Sequence, residues 1–348
     1  MQRIFDPTAA ATLPAVPALS GSVGYFTGGV PGSVAATRVR AWYLNMLQEE
    51  LMTLLTTAGI TPDTTGSNFT QVLQAIQTLG KIKATATLNL YVGGSGASDT
   101  LNNGLSSGAP FATLQHAANV VLYAYDLNGF TANINVANGT YTAGVTVDCS
   151  KLRGSIHFIG NTGSPSSCAV TLPGGGSCFN VINSGPQVFV SGFQVSAPSG
   201  STGAPWTSPG FGLSSSNGAQ LIFDHVAFGA SSYAHMAANA GGYIGVPAAS
   251  TPYSISGGAV GHAIAGGTAG YISIPSAIVT VTGTPAFSTA FAEVDAGALV
   301  FAPSASFSGA ATGPRYLCSN GGAIETNGAG ASFFPGSTAG SSTTGYYS

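Results

Sequence analysis

Apolar positions change their spacing twice along the chain and divide it into three stretches. Up to about residue 38 there is neither a helical nor a strand period, only Pro, Ala, Gly and Ser around isolated apolar residues. That is the pattern of an extended arm that orders against a partner. From Val39 to Gly80 the period becomes helical: Leu44, Leu47, Leu51, Leu54 and Ala58 alternate in steps of three and four, and Gly59 with Pro62 stops the run. Phe69, Val72, Leu73, Ile76 and Leu79 line a second amphipathic helix. Each run is shorter than the roughly three to four heptads a self-sufficient coiled coil takes. The expectation is a helical hairpin packed on itself and on symmetry mates.

Beyond residue 84 the apolar runs shorten and become β-branched and aromatic, divided by Gly, Asn and Ser. Strands are predicted at 88–92, 132–136, 144–147, 155–159, 169–172, 187–190, 220–223, 271–274, 278–281 and 298–301. One helical stretch interrupts them, with Phe111, Leu114, Ala118, Val121 and Tyr125 on one side. The uneven gaps argue against a sandwich of tight hairpins and for a right-handed parallel β-helix, a mainly β fold. At about 25 residues per coil the rod would have roughly ten coils. Its open ends need covers. The 111–125 helix is the expected first cap, and Phe333, Phe334, Tyr346 and Tyr347 the expected last one. The domains read as an arm (1–38), a hairpin adaptor (39–80) and the β-helix (81–348).

Composition sharpens this picture mainly through what it lacks. Only 8 Lys+Arg and 11 Asp+Glu occur in 348 residues, 5% against about 25% in an average soluble domain. A net charge of −3 with no basic cluster supplies no footprint for nucleic acid. Gly (50) and Pro (19) break every long uncharged stretch, so no membrane-spanning helix is expected. Residues 1–7 lack an apolar leader core. Cys149, Cys168, Cys178 and Cys318 lack a metal-binding spacing and read as free buried thiols, so neither metal nor cofactor is expected.

Candidate chemistry is sparse. Beyond Phe130 the only carboxylates are Asp148, Asp224, Glu293, Asp295 and Glu325. Glu293 and Asp295 form the one pair at plausible spacing, since residues i and i+2 of a strand face one side about 6.7 Å apart. Arg315 follows by about one coil. Asp224-His225 reads as a turn, and His116, His157, His225, His235 and His262 show no catalytic spacing. Binding is easier to support. Two loop-like stretches carry aromatic rings suited to sugars or protein surfaces: 199–212 with Trp206 and Phe211, and 231–253 with Tyr233, Tyr243 and Tyr253.

Three stretches resemble known proteins. Leu90-Tyr91-Val92, Ser98-Asp99 and Gly108-Ala109-Pro110-Phe111-Ala112-Thr113-Leu114-Gln115-His116-Ala117-Ala118 resemble the entry into pectate-lyase-like right-handed β-helices. Gly24-Tyr25-Phe26-Thr27-Gly28-Gly29 and Leu44-Asn45-Met46-Leu47-Gln48-Glu49-Glu50-Leu51 resemble the opening of phage and prophage tail-fibre or tailspike proteins. Those carry Trp before the Leu-Asn pair, whereas here Tyr43 follows Trp42. The segment from Gly313-Pro314-Arg315-Tyr316 to Tyr346-Tyr347 resembles phage tail-protein ends.

The resemblance implies a homotrimer made in the host cytoplasm and carried on the virion tail. Gly24, Tyr25, Phe26, Leu44, Leu47 and Leu51 would anchor it to tail or baseplate proteins, and the rod would recognise a host cell-surface glycan or protein. The alternatives it leaves open are a polysaccharide depolymerase tailspike and a structural spacer fibre.

Overall fold

The computed structural model describes residues 7–18, 25–65, 67–199 and 209–348. The chain divides into two units, Met1–Ile82 and Lys83–Ser348.

In the first unit, helix α1 spans Ala41–Thr57 and helix α2 spans Gln71–Leu79. Gly59 ends α1 because only a left-handed residue (φ +70°) turns the chain there, and the Gly59 and Ile60 amides donate to the Thr56 and Leu55 carbonyls. Gln71 braces the connection: its Nε2 donates to the Thr61 carbonyl (2.8 Å) and its Oε1 accepts from the Asp63 amide (3.0 Å). The hairpin buries Leu55 and Ala75 instead of the predicted seam. Leu44, Leu47, Leu73, Ile76 and Leu79 remain 42–55% exposed, and Phe69 lies before α2. Two helices this short bury one line of contact, and the rest of each apolar face has no neighbour within the hairpin.

The second unit is a right-handed parallel β-helix. Its strands form three parallel sheets of ten, seven and eight strands, and the chain visits the sheets in rotation. Ten strands in the longest sheet mean ten levels, the number expected from length alone. One inner ladder runs the whole rod: Leu88, Ala132, Ile156, Val188, Leu221, Ile244, Ile272, Val300, Ile324 and Tyr347 occupy one register position on successive levels. Eight of these ten are buried. The seven-strand sheet adds Tyr141, Val170, Val195, Phe228, Ile255 and Val281 in the same manner.

The eight-strand sheet differs. One inner column is Val147, Val181, Ser215, Ala238, Ala265, Val294 and Cys318, all buried and mostly small. The ladder also skips one position per level, Gly212, His235 and His262 in turn. At these skipped positions two consecutive residues face inward, so His235 with Met236 and His262 with Ala263 are all buried.

Left-handed residues turn the corners. Between the eight-strand and ten-strand sheets lie Asn217-Gly218, Ala240-Gly241, Ala296-Gly297 and Asn320-Gly321, each with two positive φ angles. At another corner His225 itself has φ +47°, which bears out Asp224-His225 as a turn.

The N-terminal cover is shorter than predicted. Helix α3 spans Leu114–Asn119 and a π-helical turn continues it over Val120–Ala124, while Phe111 instead makes a parallel bridge to Val92. Leu114, Ala117, Ala118, Val121 and Leu122 are buried beneath it. At the far end Phe334 (1% exposed) stacks on Phe291 and Tyr347 stacks on Tyr316, but Tyr346 is 61% exposed and covers nothing. The four cysteines are buried and free, and no helix among the described residues is long and apolar enough to cross a membrane.

Candidate functional site

Glu293 lies near the end of the strand Phe287–Val294 on the eight-strand sheet, and Asp295 follows the strand directly. Their neighbours Ala292 and Val294 are fully buried, which turns both carboxylates to the outer face. Glu293 sits level with Ile264 on one side and Leu317 on the other. Half-burial on this apolar surface raises the Glu293 carboxyl above its usual range, and the neighbouring Asp295 charge adds to the effect. Gly266 makes room for Asp295, since a side chain there would run into Asp295 Oδ1. That oxygen accepts from the Gly267 amide at 3.3 Å.

Tyr233 shares the same field. Its hydroxyl is pushed up to about 12, first by burial and then by the Glu293 and Asp295 charges. Beside it Phe211 packs edge-on (5.5 Å between ring centres). With Val260 these two rings pack against Ala234, Ala237 and Ile264, an apolar cluster separate from the core. The outer face of this sheet therefore carries a partly dry patch that ends at two carboxylates. Arg315 turns to the Thr338 carbonyl (3.2 Å) and makes no ion pair with Glu293 or Asp295.

The remaining candidates fall into different places. Phe211 lies on the strand Gly210–Ser216, and Tyr243 and Tyr253 also lie on strands, not loops, because 231–253 is a full coil of the rod with its own strands. Tyr243 faces outward on the ten-strand sheet, half-buried against Tyr271 (5.2 Å). Tyr253 is a correction: it is 4% exposed, packs on Phe223 and Phe228 in the core, and presents no surface to a receptor. Trp206 and Gly24 lie outside the described residues. Of the residues expected to anchor the chain, Tyr25 is 99% exposed and Phe26 packs edge-on against Tyr43. Leu44 and Leu47 are exposed and Leu51 is half-buried.

One cluster escaped the sequence reading altogether. His235 and His262 are fully buried inside the rod, Nδ1 to Nδ1 at 3.1 Å, and the Tyr253 hydroxyl lies 3.1 Å from His262 Nε2. The signal was their separation of 27 residues, one coil.

No family model and no curated protein matches the chain. Among solved structures, a rice weevil pectin methyl esterase aligns over 83% of this chain and 95% of its own at 11% identity and a TM-score of 0.38. Escherichia coli YbhC aligns over 94% and 98% at 10% identity and a TM-score of 0.39. Likenesses this distant carry no argument about activity.

Proposed function

We propose that this chain is a tail fibre or tailspike of a phage or phage-derived particle, docked by its N-terminal unit and recognising the host cell surface with its β-helical rod. The observation that supports it most is the row of apolar side chains that the helical unit keeps exposed, while the second unit buries its own ladders over ten levels. The Gly-Tyr-Phe arm and the Leu-Asn-x-x-Gln-Glu-Glu-Leu helix agree with an adaptor of this kind. The rod's ligand would be nearly neutral, a glycan or protein surface met by shape and ring stacking, because the rod offers few charges. Labelled protein should adsorb to host cells, and adsorption should fall when Phe211 and Tyr233 are both replaced by Ala. Absence of adsorption to any strain the particle infects overturns the reading.

A second reading, cleavage of the bound polysaccharide, is favoured by the raised Glu293 carboxyl next to Asp295. Residues two apart in extended chain lie about 6.7 Å from one another, so a proton donor at Glu293 and a base at Asp295 suit the inverting glycosidase spacing of roughly 6.5–9.5 Å. New reducing ends that vanish in Glu293→Gln or Asp295→Asn, with circular dichroism unchanged, would establish it. Adsorption without cleavage leaves binding as the function.

A further inference from the structure

We propose that His235 and His262, paired on successive coils, form an acid-sensitive joint at the middle of the rod, which loosens the coils around it while the coils toward both ends stay closed. The argument begins with the lattice of the fold. Equivalent positions of successive coils stack, so the skipped position of the eight-strand sheet brings His235 directly beneath His262 inside the lumen. Below them the same position is Gly212, where an added Cβ would lie 2.6 Å from the His235 carbonyl oxygen.

The protons follow from the partners. When the Tyr253 hydroxyl donates to His262 Nε2, His262 carries its proton on Nδ1 and donates it to His235 Nδ1. His235 then holds its own proton on Nε2, an atom with no hydrogen-bond partner. Both rings are neutral. A first added proton would keep these contacts but place a charge in the lumen, and a second would set two N–H donors against each other at 3.1 Å.

No acidic side chain among the described residues touches the pair to compensate that charge. The rings against the pair are Phe228, Phe287, Phe291 and Tyr253, and among the described residues Tyr253 is the one other titratable side chain hydrogen-bonded or ring-packed against it. Glu293 and Asp295 stand on the opposite, outer face of the sheet. The Gly229 and Gly258 carbonyls favour protonated His235, but burial outweighs them and lowers it to about 3, and burial together with His235 drives His262 well below its usual value too.

The sign is fixed by linkage. An opened coil binds protons near the ordinary imidazole value of 6.5 and the closed coil does not, so closure is fully favoured above pH 6.5 and weakens as pH falls below it. His235 alone raises the local opening constant by about twenty-fivefold between pH 7 and pH 5.

Hydrogen exchange of the full chain, corrected for intrinsic rates, tests this at the two pH values. Protection should fall first in Ala234–Asn239 and Ala259–Gly266 and hold in Ala132–Val136 and Leu299–Phe301. Loss that starts at either end, spreads evenly, centres on the half-buried His157, or does not occur overturns the proposal. In His262→Asn the difference between the two pH values should shrink at least fivefold, and an undiminished difference also overturns it. If that variant does not fold, the wild-type map still decides.

Discussion

Gly212 shows how tightly single residues are held in this rod. A methyl group at that position would meet the His235 carbonyl oxygen at 2.6 Å and Val195 Cγ2 at 3.1 Å, and neither the strand nor the core has slack to yield. Gly212→Ala should therefore destabilise by about 1–3 kcal/mol, read as a fall in Tm, from overpacking alone. The thiols report the same closure chemically. Burial pushes Cys149, Cys168 and Cys178 up to about 12 and Cys318 to about 11, so alkylation at pH 8 should be negligible in folded protein and complete in denaturant. Intact mass after labelling checks it. Glu293 behaves oppositely from a stabilising carboxylate. Folding favours its protonated form, so its ionisation weakens the fold as pH rises through its raised value. Glu293→Gln should consequently have a higher Tm than wild type at pH 7, with the gap closing toward pH 4.

Among the elements, most of the ten-strand sheet was legible in the sequence, whereas of the eight-strand sheet only its first strand, Val145–Asp148, was. Runs such as Leu88–Val92 and Ala132–Val136 carry β-branched or large apolar residues in alternation, and they appear in the structure with the bounds predicted for them, as does Ile278–Val281 of the seven-strand sheet. Ala234–Asn239 and Ala259–Gly266 are dominated by Ala, Gly, His and Met, which have little strand preference of their own, with only Val260 and Ile264 as β-branched members. They are strands because coils above and below supply hydrogen-bond partners and because only small residues fit that corner of the lumen. The same blindness misplaced Tyr253 on a loop and hid the histidine pair. Glu293 and Asp295 were legible as a pair, but the dry surface that perturbs Glu293 comes from Ile264 and Leu317 on other coils. At the N-terminal cover, Asp99 explains why its motif is found there. Its carboxylate accepts from the Ala112 amide (2.7 Å), the Thr113 amide (3.1 Å) and the Thr113 hydroxyl (2.7 Å), while Thr113 Oγ1 accepts from the His116 amide (3.2 Å). Thr113→Ala removes the cap of α3 and should cost about 0.5–2 kcal/mol, with Thr113→Ser restoring most of it in thermal melts.

At the scale of the whole molecule the two units make opposite demands. The rod satisfies itself: ten levels of ladder, a cover at each end and outward faces of Ser, Thr and Asn leave little apolar surface to hide. The helical unit does not. Isolated helices shorter than about 12–15 residues are marginal in water, and α2 has 9 residues whose partner α1 covers only one side of it. Leu44, Met46, Leu47, Leu73, Ile76 and Leu79 then face solvent at 42–55% exposure, an arrangement that a second and third copy around an axis would relieve. With so few charges on the chain, little electrostatic repulsion opposes that association. Light scattering should accordingly give three times the 34.4 kDa chain mass at micromolar concentration. Leu47→Glu together with Ile76→Glu should lower it to the single-chain mass while the β-sheet circular dichroism of the rod persists, because the substitutions remove the seam and leave the ladders untouched. A chain starting near Ala84 should likewise keep its β signal but fail to join particles. A stable monomer of the unaltered chain would refute trimerisation through the hairpin, and normal incorporation of the shortened chain would refute the anchoring role.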